Sequence, residues 1–132
     1  MSIYSTVIEI KRGRYTVWGQ SVMGGISHIV LEKDSKSRRS CSRIIFNKTH
    51  VDQMLNILEH DDIAAGVIQR TYVCSDYFNS YLFHVLINPN TVVLYDDDDI
   101  ITISRHTFKN ILYILRNRIE KYERKKLKEA FP

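Results

Sequence analysis

The sequence predicts an α+β domain made of two ββββα repeats, in which a curved antiparallel sheet from each half is covered by a helix. Two observations lead there. Ile44 to Glu59 lies without a gap against Ile101 to Arg116: Ile44/Ile101, Leu55/Leu112, Ile57/Ile114 and Leu58/Leu115 are identical. Phe46/Ile103, Asn47/Ser104, Lys48/Arg105, Val51/Phe108, Gln53/Asn110 and Met54/Ile111 keep their character. Each copy reads as a strand end, a polar cap and an amphipathic helix. The second observation is that runs of strand composition precede both copies. The 132 residues then form one domain, with repeat one at 1–62 and repeat two at 63–132. A single repeat holds too little core to stand alone, so the halves should pack on each other.

Tyr4 to Lys11 is rich in β-branched residues and predicts a first strand. Arg12-Gly13-Arg14 turns the chain, and Tyr15 to Gly19 returns as the second hairpin strand. After the break at Met23-Gly24-Gly25 comes a third strand over Ser27 to Lys33, then a basic loop from Asp34 to Ser40. Cys41 to Phe46 alternates, with Ile44 and Phe46 on one face and Arg43 and Ile45 on the other. A helix from about Thr49 to His60 carries Val51, Met54, Leu55 and Leu58 at i, i+3, i+4, i+7, a core-facing stripe. Repeat two offers strands over Val67 to Val73, Tyr81 to Ile87, Thr91 to Tyr95 and Ile100 to Ser104, separated by polar breaks. Its helix begins near Arg105, buries Phe108, Ile111, Leu112, Leu115 and Ile119, and runs to about Lys126.

Charge is segregated along the chain. Residues 11–48 carry nine Lys/Arg against Glu32 and Asp34; residues 49–104 carry Arg70 against nine acids; residues 105–132 carry nine Lys/Arg against three Glu. Such blocks are the footprint of one surface meant for a polyanion and another that is not. No apolar run reaches the roughly 18 residues of a membrane span, and the first residues do not read as a signal peptide, so no membrane partner is expected. Cys41 and Cys74 fit neither a disulfide scaffold nor a metal motif, which points to free thiols in a reducing, nuclear or cytoplasmic setting. Enzyme signals are weak. His60-Asp61-Asp62 and Asp96 to Asp99 lack further ligands at a known spacing, and neither cysteine has a histidine partner in a nucleophile motif. There is no phosphate-binding glycine loop. The expectation is a non-enzyme with no cofactor, no metal and no small-molecule substrate.

The element order resembles that of the Pur-alpha and Whirly families and of the positive-cofactor-four coactivators. The likeness is closest over Ser37 to Leu55, where a basic Ser/Arg loop precedes an alternating strand and an apolar helix. It implies binding of single-stranded DNA or RNA on the outer, concave sheet faces, often by a homodimer. The run Asp96 to Asp99 departs from this, since an acidic second repeat makes any binding lopsided.

Single-strand binders combine cations along the phosphates with rings on which bases stack. In the second strand Arg14, Thr16 and Trp18 share one face, and Tyr15 and Val17 share the other. If Tyr15 and Val17 face the core, Trp18 lies outside as a stacking platform; the opposite phase, with Trp18 in the core, fits the pattern as well. Lys11, Arg12, Arg14, Lys33, Lys36, Arg38, Arg39 and Arg43 are the phosphate candidates, with Arg70 and Tyr72 extending the track into repeat two. On the last helix Arg116, Lys121, Arg124, Lys125, Lys126 and Lys128 are further cations. Ile119 and Tyr122 carry its apolar stripe past the length of the first helix, which predicts a homodimer contact. The rival reading is a protein-interaction or scaffolding domain of the same fold, dimerising through that helix.

Overall fold

A computed structural model describes residues 5–22, 25–34, 41–60, 66–75 and 80–131. The order is β1 (Ser5–Arg12), β2 (Tyr15–Val22), β3 (Gly25–Asp34), β4 (Cys41–Phe46), α1 (Lys48–His60), β5 (Ile68–Ser75), β6 (Ser80–Ile87), β7 (Thr91–Tyr95), β8 (Ile100–Ser104) and α2 (Arg105–Ala130). The chain is thus α+β. Strands β1 to β4 form one antiparallel sheet in sequence order, and β5 to β8 form a second in the same way. Strand β1 joins β2 through Gly13-Arg14, where Gly13 takes φ of 58°. A residue without Cβ adopts that left-handed conformation at little cost, and it matches the twist of the strands on either side.

Alternation decides what each sheet buries. Ile8 and Ile10 on β1, Val17 on β2, Ile29 and Leu31 on β3, and Ile44 and Phe46 on β4 all enter the core. The second sheet contributes Phe83, Val85, Ile87, Val92, Leu94, Ile101 and Ile103. Both helices lay their predicted stripes into the same cluster, so the two halves share one interior. The aligned segments match at their shared apolar positions. Ile44 and Ile101, Phe46 and Ile103, Val51 and Phe108, Met54 and Ile111, Leu55 and Leu112, and Leu58 and Leu115 are buried alike, while Ile57 and Ile114 are both half-buried.

The helices lie antiparallel, and equivalent basic residues at their starts join them. Lys48 Nζ meets Glu123 Oε1 at 2.6 Å, and Arg105 Nη2 donates to the Leu58 carbonyl oxygen at 3.4 Å near the end of α1. A guanidinium beside the last carbonyls of a helix is favoured by the helix dipole. Ser104 caps α2, accepting from the Thr107 N–H at 3.1 Å. At α1 the cap is built differently: the N–H of Asn47 donates to Nδ1 of buried His50 at 3.2 Å. Histidine here plays the part that Glu or Gln plays in a capping box. Its ring also hydrogen-bonds the Val73 backbone, and burial pushes its pKa below the ordinary value. Tyr72 and Phe83 stand against the ring at 5.1 and 5.2 Å, so one side chain of the first repeat is clasped by the second.

The helices differ in length, 13 residues against 26. The additional turns of α2 reach across to the first sheet. Arg118 Nη1 donates to the Glu9 carbonyl oxygen of β1 at 2.5 Å, and Tyr122 Oη donates to Ser21 Oγ of β2 at 3.2 Å. Ile119, only 3 % exposed, belongs to the core of its own chain. The expected dimer contact through Ile119 and Tyr122 is therefore corrected: the stripe outruns its own repeat because it covers the other one. No described helix is long and apolar enough to cross a membrane.

Candidate nucleic-acid interface

The core phase of β2 settles which side Trp18 takes. Val17 is sealed and Tyr15 packs against the core cluster, so Thr16, Trp18 and Gln20 face outward. Cross-strand pairing sets two rows on this outer face. One runs Glu9, Trp18, Val30, Ile45; the next runs Lys11, Thr16, Glu32, Arg43. Val30 is 8 % exposed although it lies outside the core cluster. Thr16 and Glu32 on the same face are buried as well, at 7 and 9 % exposed. The indole, half-buried, stands between Glu9 and Val30 in its row, next to the row that holds Lys11, Glu32 and Arg43.

The predicted cations separate into three groups. Lys11 is exposed on the outer face, and Arg12 and Arg14 are exposed at the hairpin end beside it. The Asp34 N–H donates to the Arg14 carbonyl oxygen at 2.9 Å, so the end of β3 lies next to this hairpin. Lys36, Arg38 and Arg39 themselves fall outside the described residues. Arg43 is on the outer face but engaged: its Nε meets Glu32 Oε2 at 2.5 Å, which raises the guanidinium pKa further. The pair also compensates the nearly buried Glu32 carboxylate, which would otherwise be costly.

Three predicted positions do not join this surface. Lys33 follows Ile29 and Leu31 to the inner side of β3, where its ammonium lies 5.5 Å from the Tyr15 ring centroid. Lys33 Nζ and Tyr15 Oη both donate to the Thr102 carbonyl oxygen of β8, at 3.1 and 2.9 Å. These bonds tie the first sheet to the second. Arg70 and Tyr72 share a face of β5 as expected, but it is the inner one: Tyr72 pairs with buried Phe83 across the strands and stacks on it at 5.4 Å. Burial accordingly raises the Tyr72 hydroxyl pKa. The track of cations does not extend through them.

The outer face of the second sheet has another character. Gln69, Thr71 and Val73 on β5, Leu82, His84 and Leu86 on β6, and Val93 and Tyr95 on β7 carry no formal charge, with histidine neutral. Val73, Leu82 and Ile100 are 55, 53 and 61 % exposed. His84 stacks on Tyr95 at 4.8 Å, held by Thr71 Oγ1 at 2.8 Å from His84 Nδ1 and by Gln69 Nε2 donating to Tyr95 Oη at 3.2 Å. The sequence signal for this stack was the pairing of two strands with polar residues on their outward phase. The acidic residues Asp96 to Asp99 form the β7–β8 turn, where Asp96 Oδ1 accepts from the N–H groups of Asp98 and Asp99 at 2.9 and 2.7 Å. Among the described residues no three His, Cys, Asp or Glu side chains group as a metal site would need, and neither Cys41 nor Cys74 is in a disulfide. Comparison with family models, curated proteins and solved structures finds no match for the chain.

Proposed function

We propose that this chain binds single-stranded nucleic acid, in replication or transcription, using the outer face of the first sheet. The architecture is then a variant of the Pur-alpha and Whirly plan. The observation that carries the reading is Trp18, directed outward in the middle of a sheet whose hairpin end presents Lys11, Arg12 and Arg14. An indole directed outward can stack on any base, while ammonium and guanidinium groups neutralise the phosphates and release their counterions. The binding is one-sided, because the second sheet offers an uncharged outer face beside an acidic turn. Fluorescence anisotropy of a labelled oligothymidylate tests it. Affinity should fall steeply as salt rises, and an absence of binding at low salt would refute the reading.

A second reading has its own observation. Val73, Leu82 and Ile100 leave an apolar surface on the second sheet, and such surfaces mark protein contacts. The chain is then an interaction domain, with this face as its contact rather than the C-terminal helix. Concentration-dependent sedimentation that Leu82→Ser abolishes would favour it.

A further inference from the structure

Ile119 is the last buried residue of α2; Tyr122 and Glu123 still bond to Ser21 and Lys48, and from residue 124 to 131 every side chain is exposed. Residues 120–130 carry Lys121, Arg124, Lys125, Lys126 and Lys128 against Glu120, Glu123 and Glu129. Each acid is already engaged: Glu120 with Arg124 at 3.9 Å, Glu123 with Lys48 at 2.6 Å and Glu129 with Lys126 at 3.4 Å. Among the described residues Lys121, Lys125 and Lys128 have no such partner. They and Arg124 follow i, i+3, i+4, i+7 spacing, which confines them to an arc about 100° wide. That arc turns away from the stripe running from Phe108 to Ile119, and all four side chains are exposed. A helix designed only for solubility mixes its signs around the surface; this one sorts them.

The position of the stripe adds to its meaning. Arg118 is bonded to Glu9, whose partner across β1 and β2 is Trp18, and Tyr122 is bonded to Ser21 further along β2. The helix therefore leaves the body at the end of the first sheet opposite the Arg12-Gly13-Arg14 hairpin. A strand laid along β2, whose eight residues span roughly 27 Å, passes from the hairpin cations over Trp18 toward the end of the sheet where α2 leaves the body.

We infer that Lys121, Arg124, Lys125 and Lys128 form a second phosphate-binding site, which takes the continuation of the single strand held on the first sheet. This rests on the proposed function, and oligonucleotide length separates the two. The site needs only backbone phosphates, so it is indifferent to base identity.

The test uses the full chain and two labelled oligothymidylates, one of about 6 nucleotides that stays on the sheet and one of about 20 that reaches the helix. In the Lys121→Gln/Lys125→Gln/Lys128→Gln variant the long oligonucleotide should bind about tenfold more weakly at low salt. Three lost phosphate contacts should also make the slope of log K against log salt shallower by about 2. The short oligonucleotide should bind as to wild type. Glutamine keeps helix propensity, and an unchanged circular dichroism spectrum checks this. Wild-type affinity and slope for the long oligonucleotide would overturn the inference while leaving the sheet site standing. No binding of either oligonucleotide to wild type would overturn both. Polyglutamate binding to wild type as tightly as the long oligonucleotide would overturn it in favour of an acidic protein partner.

Discussion

The two sheets share a backbone plan and differ in what they turn outward. On the first, an indole stands between Glu9 and Val30, next to the row that holds Lys11 and the Glu32–Arg43 ion pair, with Arg12 and Arg14 at the hairpin end. On the second, the outward rows hold a histidine–tyrosine stack and bare Val73, Leu82 and Ile100. In the sequence, the residues between β3 and β4 include Lys36, Arg38 and Arg39, whereas Asp96 to Asp99 stand between β7 and β8. The two sheets thus agree on the inner phase of their strands, where packing constrains the side chains, and differ on the outer phase. The edges differ too: α2 is long enough to reach β1, whereas α1 meets β5 mainly through His50.

The largest expected effect tests the shared interior. Leu55→Ala and Leu112→Ala remove equivalent, fully enclosed side chains, and each should cost about 3 kcal/mol in urea unfolding. If the halves form one cooperative unit, both variants unfold in a single transition with the wild-type slope; two separate transitions would break the comparison. Ile119→Ala should cost about 2 kcal/mol with no change in sedimentation, because its contacts are within the chain. A lowered self-association with unchanged stability would restore the dimer contact.

Trp18→Ala should weaken oligonucleotide binding by about 1–3 kcal/mol per stacked base, read by anisotropy. The corresponding loss of the second platform, Tyr95→Ala, should leave binding near wild type if the asymmetry is real. The His50 clasp has a pH signature. Its folded pKa is lowered, so the unfolded chain takes up the proton first. Stability is complete above the unfolded value of about 6.5 and declines as pH falls through it. The other groups packed on the ring are the Asn47 and Val73 backbones and the Tyr72 and Phe83 rings, and Tyr72 titrates far above this range. His50→Gln can still accept from Asn47, and its urea midpoint should vary less between pH 7 and pH 5. The smallest change is expected from Arg43→Gln, about 0.5 kcal/mol, because the amide can still donate to the nearly buried Glu32 carboxylate and the guanidinium it replaces is largely in solvent.

Much of the fold was legible because each helix stripe and most strand phases carry enough apolar residues to leave one solution. Val51, Met54, Leu55 and Leu58 are buried as read, and so are Phe108 to Ile119. Strand β5 was ambiguous: in Ile-Gln-Arg-Thr-Tyr-Val-Cys-Ser both phases hold apolar residues, and only the meeting of Tyr72 with His50 and Phe83 chooses between them. Lys33 was readable, since it follows Ile29 and Leu31 in the inward phase. The cap made by His50 was missed because Asn-x-x-His departs from the usual Glu or Gln. The true use of Ile119 and Tyr122 depends on which sheet lies beneath the end of α2, a long-range fact that local spacing does not encode.

Trp18 is the chain's single tryptophan, so its fluorescence reports on one face of one sheet. Titrating wild-type protein with unlabelled oligothymidylate at low salt should quench that emission in step with binding, and added salt should restore it. Saturable binding with the emission unaltered would contradict a stacking role for the first sheet.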